Sequence, residues 1–186
     1  VSKFYPQADV FIRGYGEESL VSYLANPNQK LIPGVTFQNG HDRSSISESN
    51  LEELPSPILM RIVPLNPFMR WETQRGCIYR CSFCQHREAG RLKQNTLSNE
   101  RISAEIEILS QGLVNDIAVL DPIFNNSDRE TEILHLFYQH GYKGHLSLQC
   151  RFESLTTDFM DICSKLNVTL EFGLQTIHPL EMKAII

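Results

Sequence analysis

From Trp71 onward the sequence alternates short β-rich runs with amphipathic stretches, at a repeat of about 25–30 residues. That alternation limits the fold more than any other feature, because parallel strands need long crossovers and helices usually fill them. A first strand leads into a cysteine loop. The helix after it has Ser98 or Asn99 as its cap, Ile102, Ile106 and Leu109 on one face, and Gly112 as its stop. A strand over 117–120 follows, and Ser127 with Glu130 forms an S-x-x-E capping box that opens a helix carrying Leu134 and Phe137 and ending near Gly141. A third strand spans 146–149. The next helix begins at Thr156 or Thr157 and carries Phe159, Ile162, Cys163 and Leu166. The last strand covers 168–172, and His178-Pro179 starts one more helix. The expectation is an α/β chain whose right-handed crossovers curl it into part of a barrel or an open parallel sheet. In such folds the loops at the carboxyl ends of the strands share the face that carries function. The cysteines follow the first strand, Asp121 the second, Arg151 and Glu153 the third, and Gln175 the fourth, so these groups are expected to converge.

The chemistry centres on Gly76-Cys77-Ile78-Tyr79-Arg80-Cys81-Ser82-Phe83-Cys84. Thiolates are the usual ligands of iron–sulfur clusters, and a cubane has four irons to ligate. A C-x3-C-x2-C loop supplies three thiolates and leaves one iron open to a ligand that is not protein. A zinc site completed by His86 is the competing reading, although structural zinc sites usually use paired, separated knuckles. Three inert buried thiols are the other. Cys150 and Cys163 lack the spacing of a second cluster and are expected as small buried hydrophobes. His135, His140 and His145 are expected on or beside a helix without ligand spacing, and Trp71 as packing at the amino end of the sheet.

Hydrophobic residues make up 41% of the chain and charged residues 21%, with a net charge of -5. Those values describe a soluble globular protein. No apolar run approaches the roughly 20 residues that span a bilayer, and with no basic tract there is no reason to invoke nucleic acid. Five cysteines, an odd number without a signal-peptide pattern, argue against a secreted disulfide framework. Reduced thiols and an oxygen-sensitive cluster point to the cytoplasm.

The stretch Trp71-Glu72-Thr73-Gln74-Arg75-Gly76-Cys77-Ile78-Tyr79-Arg80-Cys81-Ser82-Phe83-Cys84 resembles the radical S-adenosylmethionine (SAM) superfamily, in the branch that carries an amino-terminal cobalamin-binding domain. Asp121-Pro122-Ile123-Phe124-Asn125 and Glu171-Phe172-Gly173-Leu174-Gln175-Thr176 resemble the ends of that branch's second and fourth strands. The resemblance implies a partial (β/α) barrel in which Cys77, Cys81 and Cys84 ligate a [4Fe–4S] cluster. The open iron would chelate SAM, which the reduced cluster cleaves to start radical chemistry. It implies that Phe83 borders the adenine, and that Asp121, Glu153 and Gln175 lie near the methionyl and ribose groups, with Arg151 as a carboxylate clamp. Against these stand plainer roles: packing for Phe83, a loop cap for Asp121, a solvated charge for Glu153. The resemblance also implies an electron donor such as flavodoxin or ferredoxin, and a small-molecule or peptide substrate. Cobalamin-dependent methyl transfer is the commonest outcome in the branch. Ile78 stands where proline is frequent, which relaxes the loop and removes no ligand.

The first segment, from Ala8 to Glu18, resembles the last strand and turn of a cobalamin-binding, flavodoxin-like domain. It reads as one βα unit without a neighbour, with Gly14-Tyr15-Gly16 as its turn. The organisation expected is a remnant of that domain over 1–25, a linker over 26–66 and the first part of the barrel over 67–186, truncated at both ends. Cobalamin would then belong to the full-length protein. The alternative is a catalytically inactive iron–sulfur or zinc-binding module.

Overall fold

A strand of three residues gains little alone, and Val10–Ile12 is stabilised by a partner drawn from the polar stretch downstream. The computed structural model describes residues 4–29, 31–38, 46–84 and 94–185, which fall into two units, Val1–Leu54 and Pro55–Ile186. In the first, β1 (Val10–Ile12) turns into helix α1 (Glu17–Ala25). Strand β2 (Val35–Phe37) then pairs antiparallel with β1, setting Val10 opposite Phe37 and Ile12 opposite Val35. The βα unit expected to lack a neighbour therefore has one, supplied from within the stretch read as linker. Ser19 ties the unit together, donating to the Pro33 carbonyl at 2.7 Å and lying 2.5 Å from the buried Ser47 hydroxyl.

The second unit runs β3 (Phe68–Trp71), β4 (Gln74–Arg75), β5 (Asn95–Thr96), α2 (Asn99–Leu109), β6 (Asp116–Val119), α3 (Asp128–Gln139), β7 (His145–Cys150), a 3-10 turn (Phe152–Ser154), α4 (Thr157–Cys163), β8 (Asn167–Phe172) and α5 (Pro179–Ile185). The principal sheet is β3-β6-β7-β8, parallel throughout and in chain order. Successive crossovers of one hand give that order, and they bring α2 against α3 and α3 against α4. Local chemistry starts α2, α3 and α4 where the sequence places them. The Ser98 hydroxyl accepts from the Arg101 N–H, and the Thr156 hydroxyl from the Phe159 N–H. Glu130 Oε2 accepts from both the N–H and the hydroxyl of Ser127 at 2.8 Å. Gly112 and Gly141 take positive φ just past α2 and α3.

The two faces of this sheet differ sharply. Met69, Trp71, Ile117, Val119, Leu146 and Leu148 point to one face and are buried with the helices' apolar stripes. Arg70, Asp116, Ser147, Gln149, Thr169 and Glu171 alternate with them on the other face, and none is buried. A parallel sheet normally packs apolar surface on both sides. A polar second face is suited to water or a polar ligand.

Two residues sit elsewhere than expected. Trp71 lies at the carboxyl end of β3, not the amino end; it is 3% exposed and its indole N–H donates to Glu105 Oε2 at 2.6 Å. His145 begins β7 instead of flanking a helix. Its Nδ1 is 3.1 Å from Asp116 Oδ1 and its Nε2 2.8 Å from Thr169 Oγ1, which ties three strands at their amino ends.

Candidate cofactor site at the carboxyl ends of the strands

The cysteine loop is an excursion with a fastened neck. The chain leaves β4 through Gly76, at φ 91, and returns as β5, which pairs antiparallel with β4 (Gln74 opposite Thr96, Arg75 opposite Asn95). Leu97 N–H reaches back to the Thr73 carbonyl at 2.9 Å. Residues 85–93, including His86, lie outside the described residues.

Asp121 fastens the neck to β6. Its Oδ1 accepts the backbone N–H groups of Thr73 at 2.8 Å and Gln74 at 3.2 Å, and its Oδ2 accepts the Thr73 hydroxyl at 2.5 Å. Arg129, from the first turn of α3, donates to Thr73 Oγ1 at 3.2 Å and to the carbonyls of Thr73 at 3.3 Å and Leu97 at 2.9 Å. Burial raises the Asp121 pKa from 3.8 to about 6, against the lowering effect of those hydrogen bonds and of Arg129. The carboxyl group is fully buried, and its neighbours Leu120, Pro122 and Ile123 line the adjoining cavity while it does not. The cofactor contact expected at Asp121 is thus replaced by a loop clasp, because both carboxylate oxygens are already engaged by Thr73 and Gln74.

The cavity is about 800 Å³ in volume and opens at the carboxyl ends of the parallel strands. Cys77, Cys81 and Cys84 line it together with Phe83. Arg151, Glu153 and Gln175 enter it from the ends of β7 and β8. Apart from Asp121, and from His86, which lies outside the described residues, every residue singled out in the sequence for this site is brought to one hollow. The loop is tightened locally by the Cys84 N–H, which donates to the Cys81 carbonyl at 3.0 Å. Phe152 and Phe172 stack along one wall with ring centroids 3.9 Å apart. Cys150, a buried part of the cavity wall, and Cys163 are the small buried thiols expected: burial pushes them up to about 12 and about 11.

Arg151 is the most constrained polar side chain of the site. Its backbone is locked reciprocally by Asn125, which accepts the Arg151 N–H at 2.9 Å and donates to the Arg151 carbonyl at 2.8 Å. The guanidinium carbon lies 4.0 Å from the centre of the Tyr79 ring, Nε donates to Glu153 Oε1 at 2.6 Å with Nη2 on the same oxygen, and Nη1 is 3.8 Å from Cys81 Sγ. Burial disfavours the cation, but hydrogen bonds to Glu153 and Cys81 and the Glu153 charge outweigh it and raise the Arg151 pKa. Glu153 is held below its ordinary value by its own backbone N–H and by Arg151. Nothing local in the sequence marks Asn125, Arg129 or Tyr79 for these roles, since each acts across a gap of tens of residues.

Among the described residues, no three His, Cys, Asp or Glu side chains converge as the ligands of a single metal ion. The fourth ligand of the zinc reading, His86, lies outside those residues; a cubane needs only the three thiolates, each on a different iron. Three partly exposed thiols on one short loop, facing a hollow with further polar groups, suit the larger group in their chemistry.

No family model matches the chain. It is 29% identical over 150 residues to the cobalamin-dependent radical SAM methyltransferase TokK of Streptomyces tokunonensis, an overlap of 70% of this chain and 22% of that protein. It is 31% identical over 148 residues to the 2-(S-pantetheinyl)-carbapenam-3-carboxylate methyltransferase of Streptantibioticus cattleyicolor, over 69% of this chain and 22% of that one. The chain thus spans 22% of the length of these curated relatives. Two solved structures of the radical SAM methyltransferase TsrM from Kitasatospora setae share its fold. One, with tryptophan substrate and the SAM analogue aza-SAM bound, gives a TM-score of 0.68 at 17% identity, covering 96% of this chain and 39% of that one. The other, with cobalamin and a [4Fe–4S] cluster bound, gives 0.69 at 16% identity, covering 96% and 40%. At these identities the likeness concerns the fold, an α/β arrangement with a parallel sheet.

Proposed function

For a chain whose homologues are cobalamin-dependent radical SAM methyltransferases, we propose that Cys77, Cys81 and Cys84 hold a [4Fe–4S] cluster and that the adjoining cavity binds SAM. The enzyme would use them in radical methyl transfer with cobalamin. The observation that carries this reading is the shared cavity: the three thiols and the polar ends of β7 and β8 meet where parallel-strand folds place their sites. When bound, the cluster and SAM supply one-electron cleavage of the sulfonium. This chain's own residues then bind, orient and exclude water.

The neck formed by β4, β5, Asp121 and Arg129 anchors the chain where it enters and leaves the cysteine loop. Phe83, more than half exposed beside the third cysteine, offers an aromatic surface to the adenine. Gln175 and Glu153 offer an amide and a carboxylate to the ribose and methionyl groups. Phe152 and Phe172 keep water from one wall of the hollow. In this reading the four parallel strands are the first part of a (β/α) barrel, and their polar face is its lumen. Residues 1–25 are, in the same reading, the end of a cobalamin-binding domain. A flavodoxin or ferredoxin would deliver the electron to a cytoplasmic enzyme acting on a small molecule or peptide. No helix among the described residues is long and apolar enough to cross a membrane.

The test is anaerobic reconstitution with iron and sulfide, then incubation with SAM and dithionite. Methionine released by the wild type and absent with Cys81→Ala is the expected result. Release that survives Cys81→Ala would overturn the ligand assignment.

A further inference from the structure

We propose that Arg151 is a positioning residue of the cysteine loop, whose guanidinium is fixed against Cys81 so as to raise the reduction potential of the cluster ligated there. The inference rests on the cluster reading above and goes beyond the carboxylate clamp expected of this arginine. A clamp presents its Nε/Nη2 edge to a ligand; here that edge is turned onto Glu153, and the remaining Nη1 is directed at the Cys81 sulfur, 3.8 Å away. Three independent restraints produce this aim. The Asn125 side chain brackets the Arg151 backbone through two hydrogen bonds of 2.8 and 2.9 Å. Glu153 holds one edge. The Tyr79 ring, from the cysteine loop itself, lies under the guanidinium plane at 4.0 Å. Arg151 thereby grips the loop at two points, Tyr79 and Cys81, from a strand end 70 residues away in sequence.

Reduction adds one electron to the cluster, delivered by an external low-potential one-electron donor, and breaks no bond. The product is more negative than the oxidised form. A cation and an N–H donor directed at a ligating sulfur stabilise that form more, which moves the potential upward. Lysine would keep the charge but could neither stack flat on Tyr79 nor bridge Glu153 and the sulfur with one rigid fork.

The experiment is an EPR-monitored redox titration of the reconstituted protein, with dithionite as reductant, on wild type, Arg151→Lys and Arg151→Met. At equal iron content, the midpoint should shift to more negative potential in Arg151→Met and lie between the two in Arg151→Lys. A purely structural arginine would change the iron content or stability of the variants and leave the midpoint alone. An unchanged midpoint in Arg151→Met overturns the proposal. If that variant fails to hold a cluster, Tyr79→Leu carries the test, since it frees the guanidinium while leaving every charge in place. A smaller negative shift supports the proposal and no shift overturns it. A wild type that takes up no iron would instead remove the cluster reading, and the proposal with it.

Discussion

The carboxylate of Asp121 accepts the Thr73 backbone N–H at 2.8 Å and, on its other oxygen, the Thr73 hydroxyl at 2.5 Å. Both groups are fully buried. This contact joins the end of β6 to the strand that enters the cysteine loop, so the geometry of the cysteines depends on a residue that touches none of them.

That clasp has a pH signature. Its pKa is raised from 3.8 to about 6, chiefly by burial, so between those values the folded protein binds more protons than the unfolded chain. The stabilisation is fully present below the unfolded pKa and is lost as pH rises through the folded one. Two pKa units correspond to about 3 kcal/mol. The unfolding free energy of wild type minus that of Asp121→Asn should therefore fall by up to about 3 kcal/mol between pH 4 and pH 7 in urea titrations. A difference that stays flat, or rises, would contradict the assignment of the burial penalty to Asp121.

Trp71→Phe should cost about 2 kcal/mol of unfolding free energy. The indole N–H donates at 2.6 Å to Glu105, which is 2% exposed, and losing it leaves Arg101 as the remaining charged partner of that buried carboxylate. The ring also packs edge-to-face on Phe137, with centroids 5.5 Å apart, and phenylalanine retains part of that contact. Denaturant titration checks the value. A change within a few tenths of a kcal/mol would show that water replaces the indole there.

Gly14→Ala should loosen the Val1–Leu54 unit selectively. Gly14 has φ 92, and a Cβ there would stand 2.3 Å from the Ser47 carbonyl oxygen, a backbone atom with little room to move. Both strain and contact oppose a side chain. Hydrogen exchange at Val10–Ile12 and Val35–Phe37 should accelerate by tenfold or more, about 1.4 kcal/mol, while β6 and β7 keep their protection. Gly14 and Ser47 form an isolated parallel bridge, in which the Tyr15 N–H donates to the Ser47 carbonyl at 3.1 Å and the Ser47 N–H to the Arg13 carbonyl at 2.7 Å; unchanged protection of β1 and β2 would mean that this bridge does not hold the unit together.

What was legible in the sequence follows a physical division. Ser98, Thr156 and the Ser127–Glu130 box act within one helical turn, so their side chains announce the helix starts they make. The candidate cysteine ligands and the carboxyl-end positions of Arg151, Glu153 and Gln175 follow from local spacing and strand order. Strands β2, β4 and β5 have two or three residues each, too few for a period of two to register, so nothing local marks them. Sequence order puts Asp121 at the correct strand end and leaves both a cofactor contact and a loop cap open, because the partners that make it a clasp, Thr73 and Gln74, are nearly fifty residues distant. Trp71 and His145 differ from expectation for a related reason: a lone tryptophan fits either end of a strand and a lone histidine fits a strand or a loop, so tertiary register decides.

The measurement that bears most directly on the central claim is EPR of anaerobically reconstituted, dithionite-reduced protein, with and without SAM. The account predicts a reduced cubane signal that changes when SAM is added, because one iron is left without a protein ligand and the cavity beside it takes the cofactor. Zinc in place of iron, or a cluster signal indifferent to SAM, would contradict it.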